Sequence, residues 1–330
     1  MILIITNKED VHPTPVIAWL KAENASVFRL NTEALLTDYE FCWRSHSRGA
    51  LDFRIRNIQT GLELRGSEIT SVWDRRPETP SALAVQNTPE INQHNLKEAL
   101  GFLRFFRYSI KDIYSIGSIV NDRVAASKML QLQMAQKIGF LTPDTCFSNR
   151  KKDILEWAAP YEYIVLKSIE NDSVWNDTAG VEYVFYTQKI KSGRLAGMPD
   201  ETFTQTVSHV QNYVEKSCEL RITVVGKKVF ACKIDSQLLD DDKGKIDWRQ
   251  GYEHGLKHEV YELPQVISDR CVLFLQQLGL HFGCFDFIIT PAGDFVFLEC
   301  NPNGQWLWIE DATGLEISKA IAIALIKGSD

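Results

Sequence analysis

The stretch FDFIITPAGDFVFLECNPNGQW, residues 285–306, carries the clearest structural pattern in the sequence. Two apolar runs flank a Pro-Ala-Gly-Asp turn, which predicts a hairpin of two buried strands. Asp286 lies on the first strand, whereas Glu299 and Asn301 lie two positions apart on the second and therefore share a face. Three oxygen-bearing side chains can thus converge on this hairpin.

Two carboxylates and an amide oxygen suit Mg²⁺, which prefers oxygen ligands and usually keeps several waters and substrate phosphates. The alternative interpretation is the solvated polar face of a sheet, since charged residues are mostly exposed. The apolar neighbours Phe285, Phe287 and Phe297 favour the metal site, because acidic groups in a buried hairpin need a compensating partner.

Upstream of the hairpin, the N-terminal part of the chain alternates strands with helices. Apolar runs predict strands at 2–5 and 26–30, with a helix at 14–22 between them. Short alternating stretches within 40–70 predict antiparallel strands, and a long helix is expected at 89–112. This order predicts an α/β unit that carries an antiparallel addition.

A second unit begins near Asn121, where Asp122 is a plausible N-cap for a helix of roughly 17 residues. That helix would carry an apolar stripe of Ala125, Met129, Leu132 and Ala135. Strands are expected at 163–167, 181–186, 219–225 and 228–234, with a polar segment at 236–258 and a helix at 264–278. The predicted fold class is α/β (α+β).

Composition excludes several classes of protein. The 330 residues contain 36 Lys and Arg against 43 Asp and Glu, a net charge of −7, which gives no general attraction to nucleic acid or membranes. We find no membrane-spanning apolar run and no signal peptide, which predicts a cytoplasmic protein. The seven Cys residues lack CxxC pairs and zinc spacing, so most are expected to be reduced core residues.

Familiar catalytic and phosphate-binding motifs are absent from the sequence. There is no GxxxxGK[ST], no GxGxxG after a strand, no HExxH and no GxSxG. Lys167 closes an apolar strand and could meet an anion there, although in isolation a snorkelling lysine is the more ordinary interpretation. Lys128 alone is one exposed helix lysine among many. A nucleotide, if bound, must therefore be held in another way.

Several segments together resemble one family. Residues 121–308 resemble the ATP-grasp superfamily, and the chain is more narrowly similar to the microviridin-type graspetide ligases over nearly its full length. The similar segments are FRLNTE (28–33), VWDRRP (72–77), NDRVAASKMLQLQMAQKIGFLTPDT (121–145), YVEKSCELRITVVG (213–226), DWR (247–249) and LECNPNGQWLWIE (298–310). The resemblance implies an N-terminal pre-ATP-grasp domain at 1–118, a central ATP-grasp subdomain with a lid at 119–210, and a C-terminal ATP-grasp subdomain at 211–330.

The resemblance also implies roles for single residues. Arg249 would receive a substrate carboxylate with Asp247 orienting it, and Arg221 would face the ATP phosphates. The nucleotide would contact Lys128 and Lys167 at the phosphates, Gln211, Tyr213 and Val214 at the adenine, and Glu219 at the ribose. Mg²⁺ would be held by Asp286, Glu299 and Asn301. The lid would be residues 170–180, whose single glycine departs from a phosphate-cradling loop.

The expected function is an ATP-dependent peptide macrocyclase. It would phosphorylate Glu or Asp side chains of a ribosomal precursor peptide and join them to Ser or Thr as esters, or to Lys as amides. The resemblance further implies a homodimer. The alternatives are a glutamate-ligase-like enzyme that adds amino acids to a protein tail or small molecule, and a catalytically idle peptide-binding module.

Two aromatic and two basic residues keep open interpretations from sequence alone. Arg75 and Arg76 follow a strand and could contact an acidic peptide, support the nucleotide cleft, or be ordinary surface arginines. Trp306 and Trp308 could face the substrate or pack in the core.

Overall fold

The computed structural model of the chain describes residues 1–45, 52–81, 87–170, 173–176, 179–239 and 242–329. Within these ranges the chain forms five β-sheets with helices packed against them, so the predicted fold class of α/β (α+β) is confirmed. Among the helices of these ranges, we find none long and apolar enough to span a membrane.

The N-terminal part contains a parallel and an antiparallel sheet. Its elements are β1 (Ile2–Thr6), α1 (Pro13–Ala22), β2 (Val27–Asn31), α2 (Leu35–Asp38), β3 (Tyr39–Arg44), β4 (Asp52–Asn57), β5 (Glu63–Arg65), β6 (Ser71–Asp74), α3 (Pro89–Ser109) and β7 (Ser115–Ile116). The parallel sheet has the order β2-β1-β6-β7, and the antiparallel sheet has the order β3-β4-β5. β1 is buried throughout because it lies inside the parallel sheet.

The middle of the chain forms a four-stranded antiparallel sheet and a separate hairpin. Its elements are α4 (Asn121–Ala125), α5 (Lys128–Ile138), β8 (Thr145–Ser148), α6 (Lys151–Ala158), β9 (Tyr163–Lys167), β10 (Ser173–Asn176), β11 (Val181–Val184), β12 (Gln188–Lys191), α7 (Glu201–Thr204) and β13 (Ser208–Asn212). The sheet has the order β12-β9-β13-β8, and β10 pairs with β11.

The C-terminal part is a five-stranded antiparallel sheet with flanking helices. Its elements are β14 (Cys218–Val225), β15 (Lys228–Ile234), α8 (Asp242–Ile246), β16 (His258–Val260), α9 (Gln265–Gln277), β17 (Phe282–Ile289), β18 (Phe295–Asn301), α10 (Leu307–Thr313) and α11 (Ile317–Lys327). The strand order is β16-β15-β14-β17-β18, and β17 and β18 form the predicted hairpin.

The hairpin separates a dry face from a polar one. Phe285 and Phe287 are fully buried against Phe274 of α9, and Phe297 of β18 joins the same aromatic cluster. Asp286 lies between the two phenylalanines and so points to the opposite face, because side chains alternate along a strand. The aromatic cluster thereby fixes which residues of the hairpin can face a ligand.

The prediction of a single helix that begins at Asp122 is wrong. The chain forms α4 and then α5, and neither helix has a side-chain cap. The Asp122 carboxylate instead accepts a hydrogen bond from the Asn303 side chain at 2.6 Å. The expected apolar stripe also fails in part, since Met129 is half exposed while Gln131 is buried.

A continuous core joins the first sheet to the C-terminal part. Ile4 and Trp73 pack in one cluster with Trp306 and with residues of α11, and the Ser71 hydroxyl donates to the Leu325 carbonyl oxygen at 2.7 Å. Trp306 is fully buried there, so it packs in the core and does not face a substrate. Five of the seven cysteines are buried and all seven are free thiols, as expected.

Candidate active site

Two strands of the C-terminal sheet bring the predicted metal ligands together. Asp286 in β17 lies directly opposite Glu299 in β18, and Asn301 lies two residues further along β18. On the other side of β17, Arg221 of β14 lies opposite Asp286 and donates from Nη1 to its Oδ2 at 2.6 Å. Two carboxylates, an amide and a guanidinium therefore share one face of the sheet.

A close approach by the loop after β18 completes this face. Arg221 also donates to the Gln305 carbonyl oxygen at 3.2 Å. Gly304 lies against it, and a Cβ atom at that position would come within 2.8 Å of Arg221 Nη2 and within 2.3 Å of the Cys284 side chain. Only glycine fits there without displacing the guanidinium.

The two carboxylates differ in their electrostatic surroundings. Burial raises the pKa of Asp286, Arg221 opposes that rise, and the charge of Glu299 adds to it. Burial also acts to raise the pKa of Glu299, but Lys128 and Lys167 together with Arg221 outweigh it and leave this pKa below its ordinary value. Glu299 is therefore held ionised.

The two predicted phosphate lysines lie beside Glu299. Lys128, the first residue of α5, places its Nζ 3.4 Å from Glu299 Oε2 and donates to the Ser168 carbonyl oxygen at 2.9 Å. Lys167 ends β9. Burial, with a contribution from the charge of Lys128, lowers the pKa of Lys167 to about 8 against the opposing charge of Glu299. A desolvated ammonium of this kind is well matched to an anionic ligand.

The predicted adenine-binding hinge spans the end of β13 and the two residues after it. The buried Gln211 side chain donates to Thr145 Oγ1 at 3.0 Å, and its own Oε1 has no partner among the described residues. The Tyr213 N–H donates to the Tyr163 carbonyl oxygen, and the Lys189 ammonium lies 3.4 Å from the centroid of the Tyr213 ring. Val214, next in the chain, is half buried.

The DWR segment has a fixed internal geometry. Asp247 accepts from Arg249 Nε at 3.0 Å and from Arg249 Nη2 at 2.8 Å, and it also accepts from the Thr187 N–H at 3.1 Å. Burial acts to raise the pKa of Asp247, but these bonds and the charge of Arg249 leave it below its ordinary value. The guanidinium plane of Arg249 is thus set by a buried, ionised carboxylate.

Glu219 is occupied by the protein itself. One carboxylate oxygen accepts from Lys216 Nζ and the other accepts from the Ser236 hydroxyl, and all three residues are buried. Burial raises the pKa of Glu219, against the charge of Lys216. The predicted contact of Glu219 with a ribose therefore requires the exchange of one of these partners.

Direct contacts join α5 to the hairpin and to the end of β9, because Lys128 bonds both to Glu299 and to the carbonyl oxygen of Ser168, the residue after β9. The charges of Glu299, Lys128, Asp247 and Asp286 influence the pKa of Lys167, and the charge of Arg249 influences the pKa of Asp286. Contacts and pKa shifts thus associate the hairpin, α5, β9 and the DWR segment. The predicted lid at 170–180 lies partly outside the described residues, and its described part includes strand β10.

Sequence reasoning missed several buried polar residues of this region. Gln131 donates to the carbonyl oxygens of Ala125 and Cys300 at 2.6 and 2.8 Å and accepts from the Cys300 N–H at 2.8 Å. It thereby fixes β18 between Glu299 and Asn301. A polar residue at a position expected to be solvated carries no sequence signal for such a role.

Arg75 was left open from sequence among a peptide contact, support of the nucleotide cleft and an ordinary surface position. Its exposed fraction is 1%, so it is not a surface arginine; its Nε lies 3.7 Å from Asp10 Oδ2, and it donates to the Asn303 carbonyl oxygen. His12 joins the cluster through Asp10 at 3.0 Å. Burial lowers the pKa of Arg75 to about 10 despite Asp10. This cluster attaches the first sheet to the loop that follows Asn301.

The donor set fits Mg²⁺ better than a softer metal. In the described residues there is no group of three or more His, Cys, Asp and Glu side chains arranged for a metal ion. The predicted set contains two carboxylates and an amide, and sites for Mg²⁺ are commonly completed by water and phosphate oxygens. The mutual repulsion of Asp286 and Glu299 is the kind that a bound cation relieves.

Comparisons with known proteins give similarities in both sequence and fold. Residues 1–123 match the MvdD pre-ATP grasp domain family. The RiPP-associated ATP-grasp ligase of Chryseobacterium gregarium, solved with ADP and a leader and core peptide, is 27% identical and matches 100% of this chain and 97% of its own at a TM-score of 0.90. Macrocyclase MdnC of Microcystis aeruginosa MRC, solved with precursor peptide MdnA, is 26% identical and matches 99% of both chains at a TM-score of 0.84.

A more distant similarity is to a curated ligase. A probable alpha-L-glutamate ligase of Syntrophotalea carbinolica is 25% identical over 226 residues, which are 65% of this chain and 68% of the relative. Fold, site and similarities together define an ATP-dependent carboxylate ligase with the ATP-grasp fold. Within that superfamily, the match of residues 1–123 to the MvdD pre-ATP grasp domain and the full-length similarity to the two peptide-bound ligases point to the microviridin-type graspetide ligases.

Proposed function

We propose that the chain cross-links the side chains of a ribosomal precursor peptide. A Glu or Asp carboxylate of the peptide attacks the γ-phosphorus of ATP, which yields an acyl phosphate and ADP. A Ser or Thr hydroxyl, or a Lys amine, then attacks the acyl carbon, loses its proton and displaces phosphate. Each ester or amide forms with the net loss of one water.

The position of Arg249 carries this proposal. Arginine can bind a carboxylate through paired hydrogen bonds, and Asp247 sets the plane of this guanidinium. The charge of Arg249 lowers the pKa of Asp286 and the charge of Asp247 raises that of Lys167, which supports a carboxylate on Arg249 beside the predicted phosphate site. Such positioning converts a slow encounter into a step between preplaced groups.

ATP and Mg²⁺ are the proposed cofactors. Lys128 and Lys167 would bind the phosphates, with Arg221 beside them, while Gln211, Tyr213 and Val214 would contact the adenine and Glu219 the ribose. Asp286, Glu299 and Asn301 would hold Mg²⁺, which when bound neutralises charge on the phosphate oxygens. The lysines would contribute the same kind of electrostatic stabilisation from the protein side.

The two similar structures support a peptide as the substrate class. The Chryseobacterium gregarium ligase was solved in complex with a leader and core peptide, and MdnC was solved bound to the precursor peptide MdnA. Here the proposed core segment would supply both the carboxylate and the hydroxyl or amine. The proposed domains are a pre-ATP-grasp domain at 1–118 and two ATP-grasp subdomains at 119–210 and 211–330, which would hold ATP between them. The reduced thiols support a cytoplasmic location.

Mass spectrometry tests the reaction. The purified chain is incubated with ATP, Mg²⁺ and a candidate acidic precursor encoded near its gene. We expect the peptide to lose the mass of one water per cross-link. The Glu299→Gln variant should leave the peptide mass unchanged. The control Glu156→Gln, which changes an exposed carboxylate on α6, should keep full activity. Unchanged peptide mass with every candidate precursor, in the presence of bound ATP, would favour an idle peptide-binding module.

The glutamate ligase similarity supports a second candidate function. A ligase that adds free amino acids would use the same acyl phosphate chemistry, and the Syntrophotalea carbinolica protein bears that name. The same experiment with free glutamate added separates the two reactions. A mass increase by whole amino-acid residues would support the ligase and contradict the macrocyclase.

A homodimer is proposed for the N-terminal part. Trp43 on β3 is about half exposed and Phe105 on α3 is 64% exposed, and they line an apolar groove of about 310 Å³ with Phe41 and Phe102. β3 is also an edge strand of its sheet. Light scattering should give a dimer for the wild type and a monomer for Phe105→Glu, whereas a monomeric wild type would contradict the proposal.

A further inference from the structure

Lys216 is a buried cation that the proposed reaction does not use. It lies in the loop between the predicted hinge and β14, and 8% of its surface is exposed. Its Nζ donates to Glu219 and to the Ile246 carbonyl oxygen, the latter at 3.0 Å. Burying an ammonium is costly unless its partners are well placed, so these two contacts call for an explanation.

A second side chain, that of Gln237, bonds the carbonyl group one residue before Ile246. Gln237 Nε2 donates to the Ser236 hydroxyl oxygen at 3.0 Å and to the Lys245 carbonyl oxygen at 3.0 Å. Ser236 in turn donates to the second oxygen of Glu219. Lys216 directly, and Gln237 through Ser236, thus link the Glu219 carboxylate to consecutive carbonyl groups.

Those carbonyl groups lie at the end of α8. The last carbonyl oxygens of a helix have no partner within the helix and must be satisfied from outside. Lys216 and Gln237 supply that partner for Ile246 and Lys245, and Asp247 is the next residue in the chain. The start of the DWR segment is therefore held against the strand that follows the hinge.

We infer that Lys216 is a positioning residue for Arg249. It fixes the backbone that leads into Asp247, and Asp247 sets the guanidinium of Arg249. Because Lys216 follows Val214 by two residues, the same contact couples the nucleotide-binding hinge to the group that receives the peptide carboxylate. The role in catalysis rests on the proposed function; the attachment of α8 does not.

Hydrogen–deuterium exchange tests the attachment without a peptide. Wild type, Lys216→Met and Lys216→Arg are compared, each with and without Mg·ADP. We expect Lys216→Met to raise exchange of the amides at 245–250 about tenfold, with β17 and β18 unchanged and with partial recovery in Lys216→Arg. Unchanged exchange at 245–250, or a uniform rise over the C-terminal sheet, would overturn the inference.

A double-mutant cycle tests the role in catalysis. The precursor that loses water in the experiment above is used to measure KM and kcat for Lys216→Met, Arg249→Lys and the double variant. We expect Lys216→Met to raise the precursor KM about tenfold with little change in the KM for ATP, and to add less than about twofold when Arg249→Lys is present. Additive effects would mean that Lys216 does not act through Arg249.

A second variant covers the case in which Lys216→Met does not fold. Gln237→Met removes the parallel bond to Lys245 and leaves no charge unpaired. It should raise exchange at 245–250 and the precursor KM about threefold each. No change in either would overturn the inference, whereas absence of water loss with the wild type would contradict only the proposed function.

Discussion

The hairpin of β17 and β18 and the segment from 242 to 249 both contain residues of the predicted site, but they are fixed in different ways. In the hairpin, the strand register places Asp286 opposite Glu299, and an aromatic cluster decides which face is polar. In the segment, short helical turns are held by side chains such as Lys216 and Asp247. The hairpin follows from the two-residue alternation of apolar and polar residues in the sequence, whereas the segment follows from no such periodicity.

The largest expected effect lies in the hairpin. Glu299→Gln keeps the shape of the side chain but removes the charge that faces Lys128 and would hold the metal. Cross-linking should fall about a thousandfold, as for the loss of a central electrostatic group in phosphoryl transfer. Turnover under saturating ATP and Mg²⁺ measures this. Retention of more than about a tenth of the activity would contradict the assignment, since such losses usually reach a hundredfold or more.

Arg249→Ala comes next, in the other region. The variant removes the paired hydrogen bonds proposed for the peptide carboxylate, so the precursor KM should rise about a hundredfold while Mg·ATP binding stays within about twofold. Steady-state kinetics and calorimetry with ATP check the two halves of this statement. A loss of ATP binding equal to the loss of peptide binding would place Arg249 at the nucleotide instead.

Gln131→Met probes the support beneath the hairpin. Three buried hydrogen bonds would be lost, two of them to the backbone of Cys300, which would leave backbone groups unsatisfied. We expect a loss of about 2–3 kcal/mol in the free energy of unfolding. Urea titration measures it, with Gln133→Met on the exposed side of α5 as the matched control. Equal values for the two variants would contradict the role of Gln131.

Asp122 gives the smallest effect and a pH dependence. Burial raises its pKa to about 7, with the nearby charge of Asp74 adding to the rise. The folded chain then binds more protons than the unfolded chain between about pH 4 and 7, so this group lowers stability as pH rises through that window. Asp122→Asn should stabilise the protein by about 1–2 kcal/mol at pH 8 and by nothing measurable at pH 4.

The substitution Asp122→Asn should preserve the hydrogen bond from Asn303. An asparagine oxygen can still accept that bond, so the comparison isolates the charge. Thermal unfolding at pH 4, 6 and 8 supplies the measurement. If the difference in stability between Asp122→Asn and wild type is the same at all three pH values, the pKa of Asp122 is not raised by folding.

The hairpin and the class of fold were predictable from sequence because strand periodicity and turn residues act locally. The segment FDFIITPAGDFVFLECN shows both its strands and its polar face without reference to the rest of the chain. The break between α4 and α5, by contrast, depends on Asp122 and Gln131 bonding to residues about 170 to 180 positions away. Distant contacts of this kind leave no local period.

The same limit applies within the site. The resemblance to a ligase family suggested Lys128, Lys167 and Arg249, whose types suit anions. No pattern pointed to Lys216, and the sequence did not decide whether Arg75 is buried or at the surface. Both are buried charges whose partners come from separate elements, and their burial was not visible in the neighbouring residues. A charged residue in a loop is usually exposed to solvent. Lys216 is not, because the segment that leads into Asp247 covers its loop.

The most direct test of the account follows the oxygen atoms. A precursor labelled with oxygen-18 in its Glu and Asp side chains is converted by the chain with unlabelled ATP in unlabelled water. Activation of a peptide carboxylate through an acyl phosphate predicts one labelled oxygen in the released phosphate for each cross-link formed. Unlabelled phosphate accompanying cross-linked product would contradict the central claim that this cleft phosphorylates a carboxylate.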